Sequence, residues 1–227
     1  MNGFFITGTD TGVGKTVVAA ALIHRLAETG RRVAGMKPVA AGCLRSPEGW
    51  RNDDALQLLA AGNIPLRYEE VNPFALPAAI APHLAAREAG VKLSVAALYA
   101  HYAQLAARAE SVIVEGAGGW RVPLNEQESF ADLAVALKLP VILVVGIRLG
   151  CLNHALLSGE AITRSGVRLA GWVANIIDPT MERILENIAA LETRLAAPRL
   201  ATFPHLAHPD VAALAAEFNL AALAVRP

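Results

Sequence analysis

The chain has 227 residues, 54% hydrophobic and 18% charged, a composition that suits a large buried core and excludes a disordered or extended protein. Its 20 basic residues balance 20 acidic ones, so no net field recruits nucleic acid or an anionic membrane, although a locally basic pocket stays open to it. Two cysteines, Cys43 and Cys151, are too few for a disulfide framework and match no metal-ligand spacing.

The first glycine-rich turn arrives within eight residues, which leaves no room for a signal peptide. The longest apolar run, Leu139 to Ile147, is interrupted by Pro140 and is roughly half of a membrane span. A soluble, cytoplasmic protein with one domain over residues 1–227 is expected.

Phe4, Phe5 and Ile6 form a short apolar run that reads as a strand. It enters Gly8–Thr16, GTDTGVGKT, where Lys15-Thr16 opens a helix rich in alanine and valine. Strand, glycine loop, Gly-Lys-Thr and helix in that order build a phosphate-binding loop. Backbone N–H groups freed by glycine and the positive end of the helix cradle an anion. Lys15 then reaches the outer phosphates of a nucleotide, and the Thr16 hydroxyl holds magnesium. The spacing is unusual: five residues, Thr9 to Val13, separate Gly8 from Gly14, so Thr9 occupies a consensus glycine position. The longer Thr9–Thr11 segment is expected to face a second substrate as well as the phosphates.

Ala19, Leu22, Ile23 and Leu26 make one apolar helix face, which Gly30 ends. Val33 to Met36 reads as a second strand, closing at Lys37-Pro38, and a loop follows through Gly42 and Gly49. Asn52-Asp53-Asp54 opens a helix with Leu56, Leu58 and Leu59 as its apolar residues. Between Gly62 and Gly90, Pro65, Pro73, Pro77 and Pro82 break any long element, so turns and a short helix are expected. Ser94 caps a helix running to about Ala109. Val112–Val114 is a buried strand ending at Glu115, followed by a flexible Gly116–Gly119.

Phe130 to Leu137 is a short helix and Val141 to Val145 the most hydrophobic strand. Leu152, Ala155, Leu156 and Ile162 line the next helix, stopped by Gly166, and Leu169 to Ile177 is another strand. Asp178-Pro179 reads as a helix cap, with Ile184, Ile188, Leu191 and Leu195 on one face. A strand near Leu200–Phe203 and a helix from Pro209 close the series.

Continuous aliphatic strands alternating with helices imply an α/β fold, a doubly wound parallel sheet flanked by helices. Ligands then lie at the carboxyl ends of the strands. That rim receives Gly8–Thr16, Lys37, Glu115, Gly146–Gly150, Asn175 and Pro204. Lys37, followed by proline at a strand end, aims its ammonium at the crevice; alone it would read as a surface lysine. Two lysines on one phosphoryl group offset charge that develops during transfer. Glu115, across from the phosphate loop, stands where a magnesium-binding acid is needed. Asp54 is equally well read as a helix-start charge. His154 lies near the crevice as a packing or hydrogen-bonding group, and no Ser-His-Asp or Cys-His setting is present.

At these motifs the chain resembles the dethiobiotin synthetase family of phosphate-loop enzymes. GTDTGVGKT, GMKPVAAG, RNDDAL, VNPF, VEGAGGW, PVILVVG, LGCLNHALL and AGWVAN follow in the family's order and span nearly the whole length. The family accepts the longer Gly8-to-Gly14 spacing. The resemblance implies an ATP- and Mg2+-dependent ligase of biotin biosynthesis that joins 7,8-diaminononanoate and carbon dioxide, through a carbamate and its phosphorylated form, into a cyclic urea.

By position, Lys37, Lys15 and Thr11 are then the catalytic residues, and Thr16, Asp54 and Glu115 the metal ligands. Gly12, Val13, Gly14, Val17, Gly116, Ala117 and Gly118 complete the phosphate site. Asn175 would read the adenine, with Pro204, His205 and Leu206 lining the base pocket. Thr11, Lys37 and Ala41 would meet the substrate. Leu149, Gly150, Cys151 and Asn153 would bind its carboxylate tail across a homodimer interface.

Two positions vary: Ala41 stands where the family often has serine, and Gly12 where some members have glutamate. The rival from another class is a partner-regulating partitioning-type ATPase of related fold. It carries a lysine five residues before the Gly-Lys-Thr lysine, where this chain has Asp10.

Overall fold

Along the first strand Phe4 and Ile6 pack into one apolar cluster and Phe5 into another. Successive strand side chains point to opposite faces, so an unbroken apolar run belongs to a sheet buried on both sides. The computed structural model of the chain describes residues 3–223; residues 1–2 and 224–227, the ends of the expected domain, lie outside them.

In chain order the elements are β1 (Gly3–Gly8), α1 (Lys15–Ala27), β2 (Val33–Met36), β3 (Val39–Ala41), β4 (Leu44–Ser46), β5 (Gly49–Arg51) and α2 (Asp53–Ala61). Then come α3 (Tyr68–Val71), β6 (Phe74–Leu76), α4 (Pro82–Glu88), α5 (Val95–Ala106), β7 (Ser111–Gly119), α6 (Phe130–Leu137) and β8 (Val141–Ile147). The series ends with α7 (Cys151–Arg164), β9 (Leu169–Ile176), α8 (Ile184–Glu192), β10 (Arg199–Phe203), α9 (Val211–Ala216) and α10 (Leu220–Leu223).

Six strands form one parallel sheet in the order β10-β9-β8-β1-β7-β2. Residues of α1, α2 and α9 share one core cluster with the sheet, while residues of α5, α6, α7 and α8 share the other. The chain leaves β1 through α1 toward β2, then returns by β7 and crosses to β8 on the other side of β1. That reversal opens a crevice at the carboxyl end of β1. The doubly wound α/β reading holds.

Several local expectations need correction. Gly116–Gly119 is not a flexible loop: it continues β7, with Gly119 paired to Gly8 past a register shift in β1. Asp178 does not cap a helix. It accepts from the N–H and hydroxyl of Thr180 in a turn, and α8 starts only after Arg183, which sits in the left-handed region. In α2 the buried residues are Ala55 and Leu58, while Leu56 is exposed, because the helix meets the sheet along a narrow stripe.

The loop after Lys37 contains strands. β3 pairs in parallel with β6, and β4 with β5 as a hairpin. Between Gly62 and Gly90 the chain forms α3, β6 and α4 where turns and one short helix were predicted. α5 ends at Ala106, and Asp210 caps α9 through the N–H groups of Ala212 and Ala213.

Gly146 lets the end of β8 approach the phosphate loop. A Cβ there would lie 2.7 Å from Ile177 Cδ1 and 2.8 Å from Val13 Cγ1. Gly146→Ala is expected to destabilise the protein by about 1–3 kcal/mol, because the crowded side chains must leave their rotamers. Urea denaturation measures this; an unchanged midpoint would show that the loop yields freely.

Candidate active site

The phosphate loop is a left-handed turn at Gly12 and Gly14 leading into α1, whose first residues are Lys15 and Thr16. Gly14 has φ 85°, and a Cβ on it would lie 2.2 Å from Asn175 Nδ2, so neither backbone nor space admits a larger residue. The Asn175 amide donates to the Val13 carbonyl at 2.9 Å, tying the loop to the end of β9.

The extra residues of the long spacing have a different use from the one predicted. Thr9 donates its N–H to the Val144 carbonyl at 2.9 Å, and Asp10 pairs with Arg148 at 2.5 Å. Both therefore fasten the loop to β8 and the segment after it. Of Thr9–Thr11, Thr11 is the residue that lines the cavity.

Four charged groups and one hydroxyl converge under the loop. The Lys37 ammonium, delivered by the end of β2, lies 2.5 Å from Glu115 Oε1 and 2.9 Å from Asp54 Oδ2. Glu115, within β7, is fully buried, and its Oε1 also accepts from the Thr16 hydroxyl at 3.0 Å. Its Oε2 is buried with no hydrogen-bond partner among the described residues. The Lys15 ammonium turns back to the Asp10 carbonyl at 2.8 Å.

Burial alone would push the Lys37 ammonium down, but Glu115 and then Asp54 outweigh it and hold the pKa above the ordinary lysine value. Burial likewise opposes ionisation of Asp54, and the Lys37 charge prevails and keeps its pKa low. Lys15 has no such partner. Burial and then repulsion from Lys37 lower its pKa to about 8.

A cavity of about 730 Å³ opens above these groups. Among the predicted site residues it is lined by Thr11, Gly12, Gly14, Lys15, Thr16, Val17, Lys37, Ala41, Asp54, Glu115, Ala117 and Gly118. Val39, Ile80, Pro82 and Val122 add apolar side chains to its lining. A second cavity of about 280 Å³ holds Asn175, Pro204, His205 and Leu206, and shares Gly12 and Val17 with the first. The two are ends of one groove over the loop.

Six predicted positions, Val13, Gly116, Leu149, Gly150, Cys151 and Asn153, line neither cavity. Val13 and Cys151 are buried in the apolar core, at 1% and 2% exposure, and Gly116 lies against the Phe5 ring. Leu149 is 89% exposed, just before α7, and Asn153 is exposed on that helix. The cavity also contains Asn52 and Gln57, which were not singled out. Gln57 stands three residues after Asp54 on α2, and that helical spacing was the available signal.

A parallel sheet with a glycine loop, a loop lysine and an acid on the neighbouring strand defines the phosphate-loop nucleotide-binding class. Solved structures agree at the level of fold. The MinC:MinD cell division protein complex of Aquifex aeolicus superposes with TM-score 0.57 at 16% identity, over 91% of this chain and 82% of that one. The signal recognition particle receptor FtsY of Elizabethkingia anophelis superposes with TM-score 0.55 at 15% identity, covering 98% of this chain and 65% of that one.

A family model described as an AAA domain matches residues 2–211. The ATP-dependent dethiobiotin synthetase BioD of Pseudomonas paraeruginosa (strain DSM 24068 / PA7) is 55% identical over 226 residues, 99% of each chain. That of Xanthomonas campestris pv. campestris (strain ATCC 33913 / DSM 3586 / NCPPB 528 / LMG 568 / P 25) is 52% identical over 217 residues, 96% of this chain and 97% of that one. The chain belongs to the ATP-dependent dethiobiotin synthetase family.

A lysine binds phosphate as its ammonium, and in the free protein Lys15 loses that form as pH rises through about 8. ADP affinity measured in EDTA is expected to be level below that pH and then to weaken, approaching about tenfold per pH unit. Calorimetry from neutral to alkaline pH checks this; a flat profile contradicts the assignment of Lys15.

Proposed function

We propose that the protein closes 7,8-diaminononanoate and carbon dioxide into dethiobiotin at the expense of ATP. The observation that carries this reading is the convergence of Lys15, Lys37, Thr16, Asp54 and Glu115 on one cavity that apolar side chains also line. Cationic groups at one end suit phosphate and carbamate, and the alkyl chain of the diamine suits Val39, Ala41 and Ile80 at the other. The adenine takes the smaller cavity beside Asn175, Pro204, His205 and Leu206, with the phosphates crossing Gly12–Val17.

Magnesium suits this set. The Thr16 hydroxyl, Asp54 and the unpartnered Oε2 of Glu115 are hard oxygen donors, the kind that bind this ion together with nucleotide phosphates. The described residues contain no group of three or more His, Cys, Asp or Glu able to hold a metal without such help. The bound ion would neutralise charge on the outer phosphates.

The chain's own work is electrostatic and positional. A carbamate anion must approach a still more negative phosphoryl group, and Lys15 and Lys37 offset that repulsion from fixed places. Thr11 orients the reacting groups by its hydroxyl. No side chain forms a covalent intermediate: the second amine attacks the carbamoyl phosphate and phosphate departs.

We further propose a cytoplasmic homodimer. Exposed Leu149 and Leu157 along the α7 region offer an apolar patch to a second copy, which would bring Leu149, Gly150 and Asn153 to the neighbour's substrate tail. Among the described residues no helix is long and apolar enough to cross a membrane.

Purified protein given ATP, magnesium, bicarbonate and the diamine should form dethiobiotin, detected by mass spectrometry, with ATP hydrolysis dependent on the diamine. Hydrolysis indifferent to the diamine, with no cyclic urea, would sink the reading. Lys37→Ala should lower turnover by on the order of a thousandfold, as other phosphoryl-clamping cations do. Near-normal turnover in that variant would remove Lys37 from the chemistry.

A further inference from the structure

Lys37 follows β2 and Asp54 stands in the first turn of α2, yet their side chains meet at 2.9 Å. Behind them a buried chain of hydrogen bonds joins the two backbones. Asn72 Nδ2 donates to the Lys37 carbonyl at 2.6 Å, and the Lys37 N–H donates to the Val71 carbonyl at 2.8 Å. Both backbone polar groups of the lysine are therefore held by the Val71-Asn72 pair. Asn72 Oδ1 accepts from the Tyr68 hydroxyl at 2.8 Å, whose oxygen accepts from the Asn52 N–H at 2.9 Å. Asn52 Oδ1 in turn caps α2 through the Ala55 N–H at 3.3 Å, and Asp54 stands in that first turn.

The polarity of this chain is fixed at every link. The Asn52 N–H can only donate, which leaves the Tyr68 proton for Asn72, and that selects the carbonyl end of the Asn72 amide. The amide nitrogen is then left for the Lys37 carbonyl, which can only accept. Asn72 is 2% exposed and Tyr68 7%, so water offers no ready replacement. The Tyr68 ring separately packs beneath the Arg51 guanidinium, 4.2 Å from the ring centre, a contact that does not use the hydroxyl.

We propose that Tyr68 and Asn72 are positioning residues that set the separation of Lys37 and Asp54, and so the gap in which the outer phosphate and its magnesium are held. This rests on the proposed roles of Lys37 and Asp54. Neither Tyr68 nor Asn72 lines the cavity; each is bonded to the backbone of a residue that does, Asn52 or Lys37. The VNPF and RNDDAL strings thereby gain a shared purpose, since they supply opposite ends of one relay.

Tyr68→Phe removes one hydroxyl and leaves the ring in place. Two readouts separate positioning from packing: calorimetric affinity for the non-hydrolysable ATP analogue AMP-PCP, in EDTA and in magnesium, and steady-state kinetics. In EDTA the variant should bind like the wild type, because the phosphate loop is untouched. The added affinity that magnesium supplies, and kcat, should each fall by about tenfold, the scale of leaving a buried partner unsatisfied. The KM for ATP in magnesium should rise in step with that lost affinity, while nucleotide affinity in EDTA stays at the wild-type value.

Asn72→Asp, which loses the donor to the Lys37 carbonyl, should act in the same direction; if it does not fold, Tyr68→Phe alone decides. Glu69→Gln, on the same short helix, should match the wild type in both readouts. A wild-type magnesium response and kcat in Tyr68→Phe would overturn the proposal. So would an equal loss in Glu69→Gln, which would assign the effect to the helix as a whole. The binding arm stands even if the wild type makes no dethiobiotin, an outcome that would count against the function and leave the relay to be judged by magnesium alone.

Discussion

A lysine ammonium held between two carboxylates inside the protein sets the terms for everything around it. Lys37 and Glu115 are almost wholly removed from water, and isolated charges there would be too costly to keep. Each is tolerable because the other lies 2.5 Å away and the Thr16 hydroxyl satisfies the same carboxylate oxygen at 3.0 Å. Removing one member of such a buried pair generally costs about 3–5 kcal/mol, since the survivor is left uncompensated. The phosphate loop, β2, β7 and α2 must all be in register for this cluster to exist.

The same cluster prepares the site for anions. Lys15 and Lys37 face Asp54 and Glu115, so the site is balanced by charge type. The arrangement is uneven, however. Lys37 is claimed by both carboxylates, while Lys15 donates to a backbone carbonyl, and burial followed by repulsion from Lys37 lowers its pKa to about 8. In the proposed function, phosphate would supply Lys15 with an anionic partner. Glu115 Oε2 is buried with no hydrogen-bond partner among the described residues, and in the proposed function it would face the metal. Under the proposed function, nucleotide and metal would complete this electrostatic arrangement.

Much of this was legible along the chain. The alternation of apolar strands and amphipathic helices fixed the layer order, and the carboxyl-end rule brought Lys37, Glu115 and Asn175 onto one rim before any coordinates. Asp54 was undecided between capping and ligation, and the structure shows why: Asn52 is the cap, which frees the carboxylate of Asp54 for Lys37. The glycines after Glu115 misled because glycine weakens strand propensity, whereas here pairing with β1 keeps them extended. Asp178-Pro179 misled because the aspartate closed its own turn instead of starting a helix.

The sequence by itself determined the phosphate loop, the doubly wound sheet and the charged residues at its edge, because each is written in local spacing and side-chain periodicity. Tertiary structure alone decided what those residues touch. Asp10 meets Arg148 across 138 positions and Thr16 meets Glu115 across 99, and no local pattern encodes such pairings. The Asn72–Tyr68–Asn52 relay is likewise invisible in order of sequence, since its polarity emerges only when donors and acceptors are counted in space. Short-range physics chose the elements; burial of charge, which requires partners from distant strands, chose the site.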